Sequence, residues 1–504
     1  MTNYFGDHKR SAELGQESVR GGAITVIART ALAVGQIVSV LFLSRLLSPE
    51  DYGLVAMVMA VTGFAPLLVD LGTRDAVVQR AHVTEGEVSA VFWMTIAVGC
   101  VFAALVAASG PWIARFYGEP RLVTIAAVSS LNFVVVALIN QHQALMRRAL
   151  MFRDLALIEV GGNLLSVGVA IAMAYYGFGY WALVTRSLAA YCFIALGIWW
   201  RCAWLPGKPE FTPGVKEMLK FGINITASAL SEFGGKNIDR VGIGRFLGVR
   251  ILGYYQQALF VYYNLLDMFV LTLQQVAVVG LSKLQNEPDE FRRCWAKALS
   301  TVAFYIMPVF GLLAVTSQDI ITVVLGKRWA SAGFILSVLA LRGIPHTVER
   351  TVGWLYISTG RGDRCVRYNV FATVVQVGAL VCGLPFGLIG VASTYTLSMF
   401  ILFLPAVLYA GHPLQIGVRA VLRAIGPQML ASVAAAAVGF CLRFWVLSAS
   451  SSLARASLLT GAYLGLYLML TIGVFKVWAP LKVLTSTART FLPSNFFRLA
   501  EDRT

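Results

Sequence analysis

Apolar stretches of about 20 residues, the length that crosses a hydrocarbon core, recur along the whole 504-residue chain with only short polar punctuation between them. Charged residues make up 13% and hydrophobic residues 58%, whereas a soluble domain carries roughly a quarter charged residues. Such a chain needs lipid-facing surface, and the expected fold is an all-α polytopic membrane protein. The apolar segments predict about fourteen spans, near 21–47, 52–73, 88–109, 123–146, 155–176, 179–200, 221–246, 252–280, 294–316, 330–359, 366–384, 387–410, 420–446 and 454–478. Ser48-Pro49-Glu50-Asp51 reads as a helix cap entering span two. Gly110-Pro111, Gly118-Glu119-Pro120 and Pro206-Gly207-Lys208-Pro209 read as loops.

The net charge is +16. Nucleic-acid binding would need those cations on a soluble basic face. They sit instead in short loops beside apolar spans. With the N-terminus inside, Lys and Arg favour the cytoplasmic side by roughly three to one, which predicts cytoplasmic termini. The polar stretch Met1–Arg20 lacks the apolar core of a signal peptide, so the first span is expected to be retained. The seven cysteines include no Cys-x-x-Cys pair, which suggests neither a disulfide framework nor a zinc ribbon. There is no Gly-x-x-x-x-Gly-Lys-Ser/Thr, no His-Glu-x-x-His and no loop long enough for a soluble catalytic domain. No catalytic residues, metal ligands or cofactor are expected.

An internal repeat is visible. Ser44-Arg45-Leu46-Leu47 leads to Gly53 as Gly244-Arg245-Phe246-Leu247 leads to Gly253. Tyr176-Gly177 before Trp181-Ala182 matches Phe386-Gly387 before Val391-Ala392, and Phe116-Tyr117-Gly118 resembles Val324-Leu325-Gly326. Their shared order predicts a parallel duplication about an axis along the membrane normal. The expected layout is a tail over 1–20, an N-lobe over 21–200, a linker over 201–220, a C-lobe over 221–410, two further spans over 411–480 and a tail over 481–504. Two such lobes suit rocking about a midplane site. In the C-terminal tail, the stretch 489–503 has the residues of a surface-lying segment.

Ionisable residues inside spans are costly and face a cavity or each other. In span seven, Asn224, Ser228, Glu232, Lys236 and Asp239 share one helical face, with Arg240 beside it. Span ten carries Arg342, His346, Glu349 and Arg350. Arg29 and Gln36 lie in span one, Glu159 and Asn163 in span five, Arg186 in span six, and Asn264 and Asp267 in span eight. Two readings stay open: buried pairs that fix helix register, such as Glu232–Lys236, or a water-filled vestibule. The cations Arg29, Arg186, Lys236, Arg240, Arg342 and Arg350 outnumber the carboxylates Glu159, Glu232, Asp239, Asp267 and Glu349, which favours a vestibule for an anion. Arginine forks suit a diphosphate. Glu159, Glu232, Asp267, His346 and Glu349 are candidates for coupling to a sodium ion or proton.

Leu43-Ser44-Arg45-Leu46-Leu47-Ser48-Pro49-Glu50-Asp51-Tyr52-Gly53 resembles the first periplasmic turn of Wzx-type polysaccharide exporters, members of the multidrug/oligosaccharidyl-lipid/polysaccharide superfamily. Asp70-Leu71-Gly72, Val78-Gln79-Arg80, Phe116-Tyr117-Gly118-Glu119-Pro120, Arg153-Asp154-Leu155-Ala156 and Gly177-Phe178-Gly179-Tyr180-Trp181-Ala182 follow in the family's order. So do Asn237-Ile238-Asp239-Arg240, Ile243-Gly244-Arg245-Phe246-Leu247-Gly248 and Gly326-Lys327-Arg328-Trp329. The likeness covers about 15–410 and is closest to the exopolysaccharide branch serving polymers such as colanic acid and succinoglycan. It implies a two-lobed bundle in a bacterial inner membrane that flips undecaprenyl-diphosphate-linked oligosaccharides to the periplasmic leaflet by alternating access. Flipping makes and breaks no bonds, so no catalytic set carries over. Only Asn237, Asp239 and Arg240 transfer as a cavity motif. The partners implied are the lipid-linked glycan, membrane lipids, and the polymerase and chain-length regulator of such a pathway. A drug antiporter on the same fold would need an acidic, aromatic cavity, and a polymerase or ligase a large periplasmic loop.

Overall fold

A peptide group in lipid has no water to bond with, so a spanning chain must satisfy its backbone within each segment. The computed structural model describes residues 11–80, 82–447 and 451–478, and among these the chain is helical, with no strand. Calls on the first ten residues and on the C-terminal tail, including 489–503, lie outside the described residues. The chain divides into two compact units, residues 1–256 and 257–504.

The first unit holds α1 (Ser11–Leu46), α2 (Pro49–Thr62), α3 (Ala65–Asp70), α4 (Thr73–Gln79), α5 (Glu85–Tyr117), α6 (Leu122–Arg148), α7 (Phe152–Tyr175), α8 (Trp181–Arg201), α9 (Pro213–Leu247) and the start of α10 (Val249–Lys283). The second holds the rest of α10, then α11 (Pro288–Val324), α12 (Ala330–Ala340), α13 (Gly343–Ser358), α14 (Gly362–Gly383), α15 (Gly387–Gly411), α16 (Val418–Cys441) and α17 (Ser452–Leu468). Ten helical stretches among the described residues are long and apolar enough to span, and α12 and α13 make an eleventh, bent by 59°. One of the ten, Gly362–Leu414, contains both α14 and α15. With α9 and α10, the bundle is compatible with fourteen crossings.

Neighbouring helices pack as hairpins. A Cβ on Gly162 would lie 2.7 Å from Ile194, and one on Gly197 2.8 Å from Ile158, so α7 and α8 run antiparallel. The same logic joins α14 to α15, where Tyr395 donates to Gln376 at 3.3 Å and Gly383 abuts Gly390. Ser48 caps α2 as expected: its hydroxyl accepts from Asp51 N–H at 3.2 Å while Asp51 accepts from Ser48 N–H at 2.8 Å.

Four features differ from, or add to, what the sequence predicts. Gly110-Pro111 lies inside α5 rather than in a loop; one proline removes a single backbone bond, and the helix continues to Gly118, whose φ of 73° ends it. Span two is not one rod. Leu71 (φ 45°) and Gly72 (φ 61°) break it, and Asp70 restarts the chain as α4 by accepting from Arg74 N–H at 3.2 Å. Span ten likewise breaks between α12 and α13, beside Arg342. The linker, finally, is docked: Trp93 donates to Gly207 O at 3.1 Å, Gly207 N–H to Ser89 at 3.0 Å, and Thr212 to Glu87 at 2.5 Å.

The repeat shows in the contacts. A Cβ on Gly53 would lie 1.9 Å from Val249 O, and one on Gly253 would lie 1.8 Å from Pro49 O. Position 49 corresponds to 249 and 53 to 253 at the offset read from the sequence, so within the first unit the two matched turns meet at matched positions. Matched turn glycines also share a left-handed backbone: Gly177 (82°) with Gly387 (68°), and Gly118 (73°) with Gly326 (104°).

In the second unit, Asp319 of α11 is buried between Arg443 and Arg455, each 2.9 Å away. This ties α17 and the turn after α16 to α11. Removing one member of a buried ion group strands the others. Asp319→Ala is therefore expected to cost about 3–5 kcal/mol in denaturant unfolding of the micellar protein. Asp363→Ala, which breaks an exposed pair with Arg367, is expected to cost under about 1 kcal/mol; equal losses would refute the anchoring role. Gly253→Ala is expected to lower the midpoint of the same transition clearly. Gly161→Ala, where a Cβ meets nothing within 4 Å, should stay within about 0.5 kcal/mol of the parent.

Candidate functional site

Polar side chains gather inside each unit where helices are interrupted. In the first unit, a cavity of about 270 Å³ is lined by Asp70, Arg74, Asn140, Gln143, Glu159, Asn163 and Tyr191 against apolar residues that include Leu32 and Ile139. The break after Asp70 delivers both members of its ion pair: Arg74 Nη2 lies 3.1 Å from Asp70 Oδ2. Asn140 on α6 donates to the other Asp70 oxygen at 2.9 Å. Arg74 also donates to Gln143 Oε1 at 3.2 Å, and Gln143 Nε2 donates to Glu159 Oε1 at 3.3 Å. Asn163 closes the chain by donating to Glu159 O at 2.8 Å. One bonded network thus runs from the α3–α4 break across α6 to α7. The charge of Arg147 acts on Asp70, Arg74 and Glu159 from nearby.

Of the residues singled out from the sequence, only Glu159 and Asn163 line this cavity. Arg29 is exposed on α1. Arg186 on α8 donates to Gln36 Oε1 at 2.5 Å, so Gln36 serves Arg186. Asp239 is buried and accepts from Tyr255 Oη at 2.8 Å, tying α9 to α10. The Arg240 guanidinium bonds Asn237, and Arg240 N–H donates to Asp239 at 2.8 Å. The side chains of Asn224, Ser228, Glu232 and Lys236 lie outside the described residues.

In the second unit, α10 and α13 bring five of the named residues together. Arg350 pairs with Asp267. His346 Nδ1 lies 2.8 Å from Tyr262 Oη, and His346 Nε2 is 4.0 Å from Glu349. Arg342, fully buried at the α12–α13 break, lies over two aromatic faces, 4.5 Å from the ring centre of Tyr395 and 5.3 Å from that of Tyr262. Such stacking steadies a guanidinium where water is absent. Asn264 turns back to its own helix, donating to Phe260 O at 2.8 Å.

Sequence reasoning missed Arg74, Asn140 and Gln143 as site residues, and used Asp70 only as part of a turn motif. A signal existed: Asn140-Gln141-His142-Gln143 is an uninterrupted polar run in an otherwise apolar span. A search for ionisable residues passes over amides. Gln141 donates to Thr73 at 3.0 Å, and His142 packs among Phe92, Trp199 and Trp204. The run therefore divides between supporting α4, filling the core and facing the cavity.

A broken-helix bundle with polar interiors is a transporter architecture, and the comparisons agree. The structure matches the lipid II flippase MurJ in its inward closed conformation with a TM-score of 0.67 over 89% of this chain and 99% of that one, at 16% identity. The chain is 24% identical to the lipopolysaccharide biosynthesis protein WzxC of Escherichia coli K12, covering 73% of this chain and 76% of the relative. It is 26% identical to the teichuronic acid biosynthesis protein TuaB of Bacillus subtilis 168, covering 84% and 89%. The family model described as polysaccharide biosynthesis protein matches residues 42–333. A multi-pass helical membrane protein with the fold of a lipid-linked precursor flippase, the chain belongs to the polysaccharide biosynthesis protein family.

Proposed function

We propose that this protein is not an enzyme but a flippase. It moves undecaprenyl-diphosphate-linked oligosaccharide repeat units from the cytoplasmic to the periplasmic leaflet of a bacterial inner membrane, for exopolysaccharide or lipopolysaccharide assembly. The observation that carries this reading is the charged, hydrogen-bonded cavity of the first unit, held inside an apolar bundle that belongs to a polysaccharide biosynthesis family. Ionisable residues inside a membrane protein pair with one another or line a path for a polar cargo, and those of the first unit line a cavity. The cargo's polar head is a glycan diphosphate, and its lipid tail stays in the bilayer. Alternating access brings the polar interior to one leaflet and then the other, with both termini in the cytoplasm. Of the intramembrane cations, Arg29, Arg186, Lys236 and Arg240 of the first unit are the candidates for the diphosphate, whereas Arg342 is stacked on Tyr262 and Tyr395 and Arg350 pairs with Asp267.

In a strain lacking the protein and any redundant exporter, radiolabelled lipid-linked repeat units should accumulate in the inner leaflet and surface polymer should fall. Normal polymer output would sink the reading. Complementing that strain with Arg29→Ala or Arg240→Ala is expected to reduce export at unchanged membrane abundance. Full export by both variants would remove them from the path.

A further inference from the structure

The network in the first unit has the chemistry of a sugar site rather than a phosphate site. Its lining groups are two carboxylates, Asp70 and Glu159, one guanidinium, Arg74, and the amides Asn140 and Gln143, with Tyr191 beside them. A diphosphate placed there would meet two carboxylates, and the one cation in the lining, Arg74, is already bound at 3.1 Å to Asp70. A metal ion is disfavoured for the same reason: the guanidinium occupies the place between Asp70 and the Gln143–Glu159 pair that a cation would take. No cluster of three or more metal-ligating side chains occurs among the described residues.

Neutral polyols are recognised differently. Each planar side chain presents two donors or acceptors, so a network of carboxylates, amides and guanidinium offers paired bonds to vicinal hydroxyls, and a tyrosine ring covers the C–H face of the sugar. Such groups work when their orientation is set in advance. Here Asn140 is buried and held by Asp70 at 2.9 Å, and Gln143 is held at both ends of its amide, by Arg74 at 3.2 Å and Glu159 at 3.3 Å. The volume of about 270 Å³ lies at the small end for ligand pockets. It suits one ring rather than a repeat unit with its diphosphate.

We infer that this cavity binds one pyranose residue of the transported glycan, so that Asn140, Gln143 and Tyr191 read its hydroxyls and set sugar specificity while the diphosphate is held elsewhere. The inference rests on the flippase reading and refines it.

The test uses the full chain in nanodiscs with two probes: the oligosaccharide released by mild acid from the host's lipid-linked repeat units, and undecaprenyl diphosphate without sugar. Binding is followed by saturation-transfer NMR for the oligosaccharide and by calorimetry for the lipid. Gln143→Leu and Tyr191→Leu, each checked for an unchanged melting temperature, are expected to weaken oligosaccharide binding by about tenfold or more, since each leaves sugar hydroxyls or their partners unpaired. Undecaprenyl diphosphate binding should stay within about twofold. Asn140→Leu should act alike, and if it fails to fold, the other two variants decide. Oligosaccharide binding unchanged in both variants, or lost in step with the lipid, overturns the inference and leaves the flippase reading standing. If sodium raises the melting temperature, Glu159→Gln abolishes that rise and oligosaccharide binding is intact, the cavity is a cation site and the inference fails. If the parent protein binds neither probe, both readings fall.

Discussion

Inside a bilayer an unpaired peptide group cannot turn to water, so the ends exposed where a helix breaks call for cover. At the α3–α4 break, Asp70 accepts from Arg74 N–H and Thr73 donates to Asp70 O at 2.6 Å. At the α12–α13 break, Arg342 is stacked on two tyrosines, and Gly343 lets the bend pass Phe310, whose Cγ would lie 2.3 Å from a Cβ. At the first break the covering carboxylate, Asp70, also lines the candidate cavity, and at the second Arg342 joins the polar cluster of α10 and α13.

The same economy appears in the glycines. Where α2 meets the start of α10, and where Gly72 meets Gly222, backbones approach too closely for any Cβ. The Gly53 and Gly253 approaches lie within the first unit at positions matched by the repeat, and each needs a residue without a Cβ. Close contact of this kind replaces the hydrophobic drive that helices lack in lipid.

The charges show where reading a sequence stops. Helical spacing placed Arg342, His346, Glu349 and Arg350 on one helix, and the structure brings four of them and Asp267 into a single cluster with Tyr262 and Tyr395. In the N-terminal lobe the same approach named Arg29, Gln36, Glu159, Asn163 and Arg186. That half instead builds its cavity from Asp70, Arg74, Asn140 and Gln143, together with Glu159 and Asn163. Arg74 fell in a predicted loop, and the amides carried no charge to attract notice. Similarly, Asp239 and Arg240 are neighbours in sequence, but their side chains go to Tyr255 and Asn237.

By itself the sequence determined the all-helical membrane class, the duplicated plan, the helix cap at Ser48 and the turn motifs of the family. Each of these follows from local composition and spacing: apolar length matches the bilayer, and turn glycines mark left-handed backbone. Only the tertiary structure decided which polar residues share a cavity, where spans two and ten break, and that the linker lies against α5. Those outcomes depend on contacts between segments far apart in the chain, as in Arg80 with Glu217 and Arg455 with Asp319, and no local pattern encodes the partner of a buried charge.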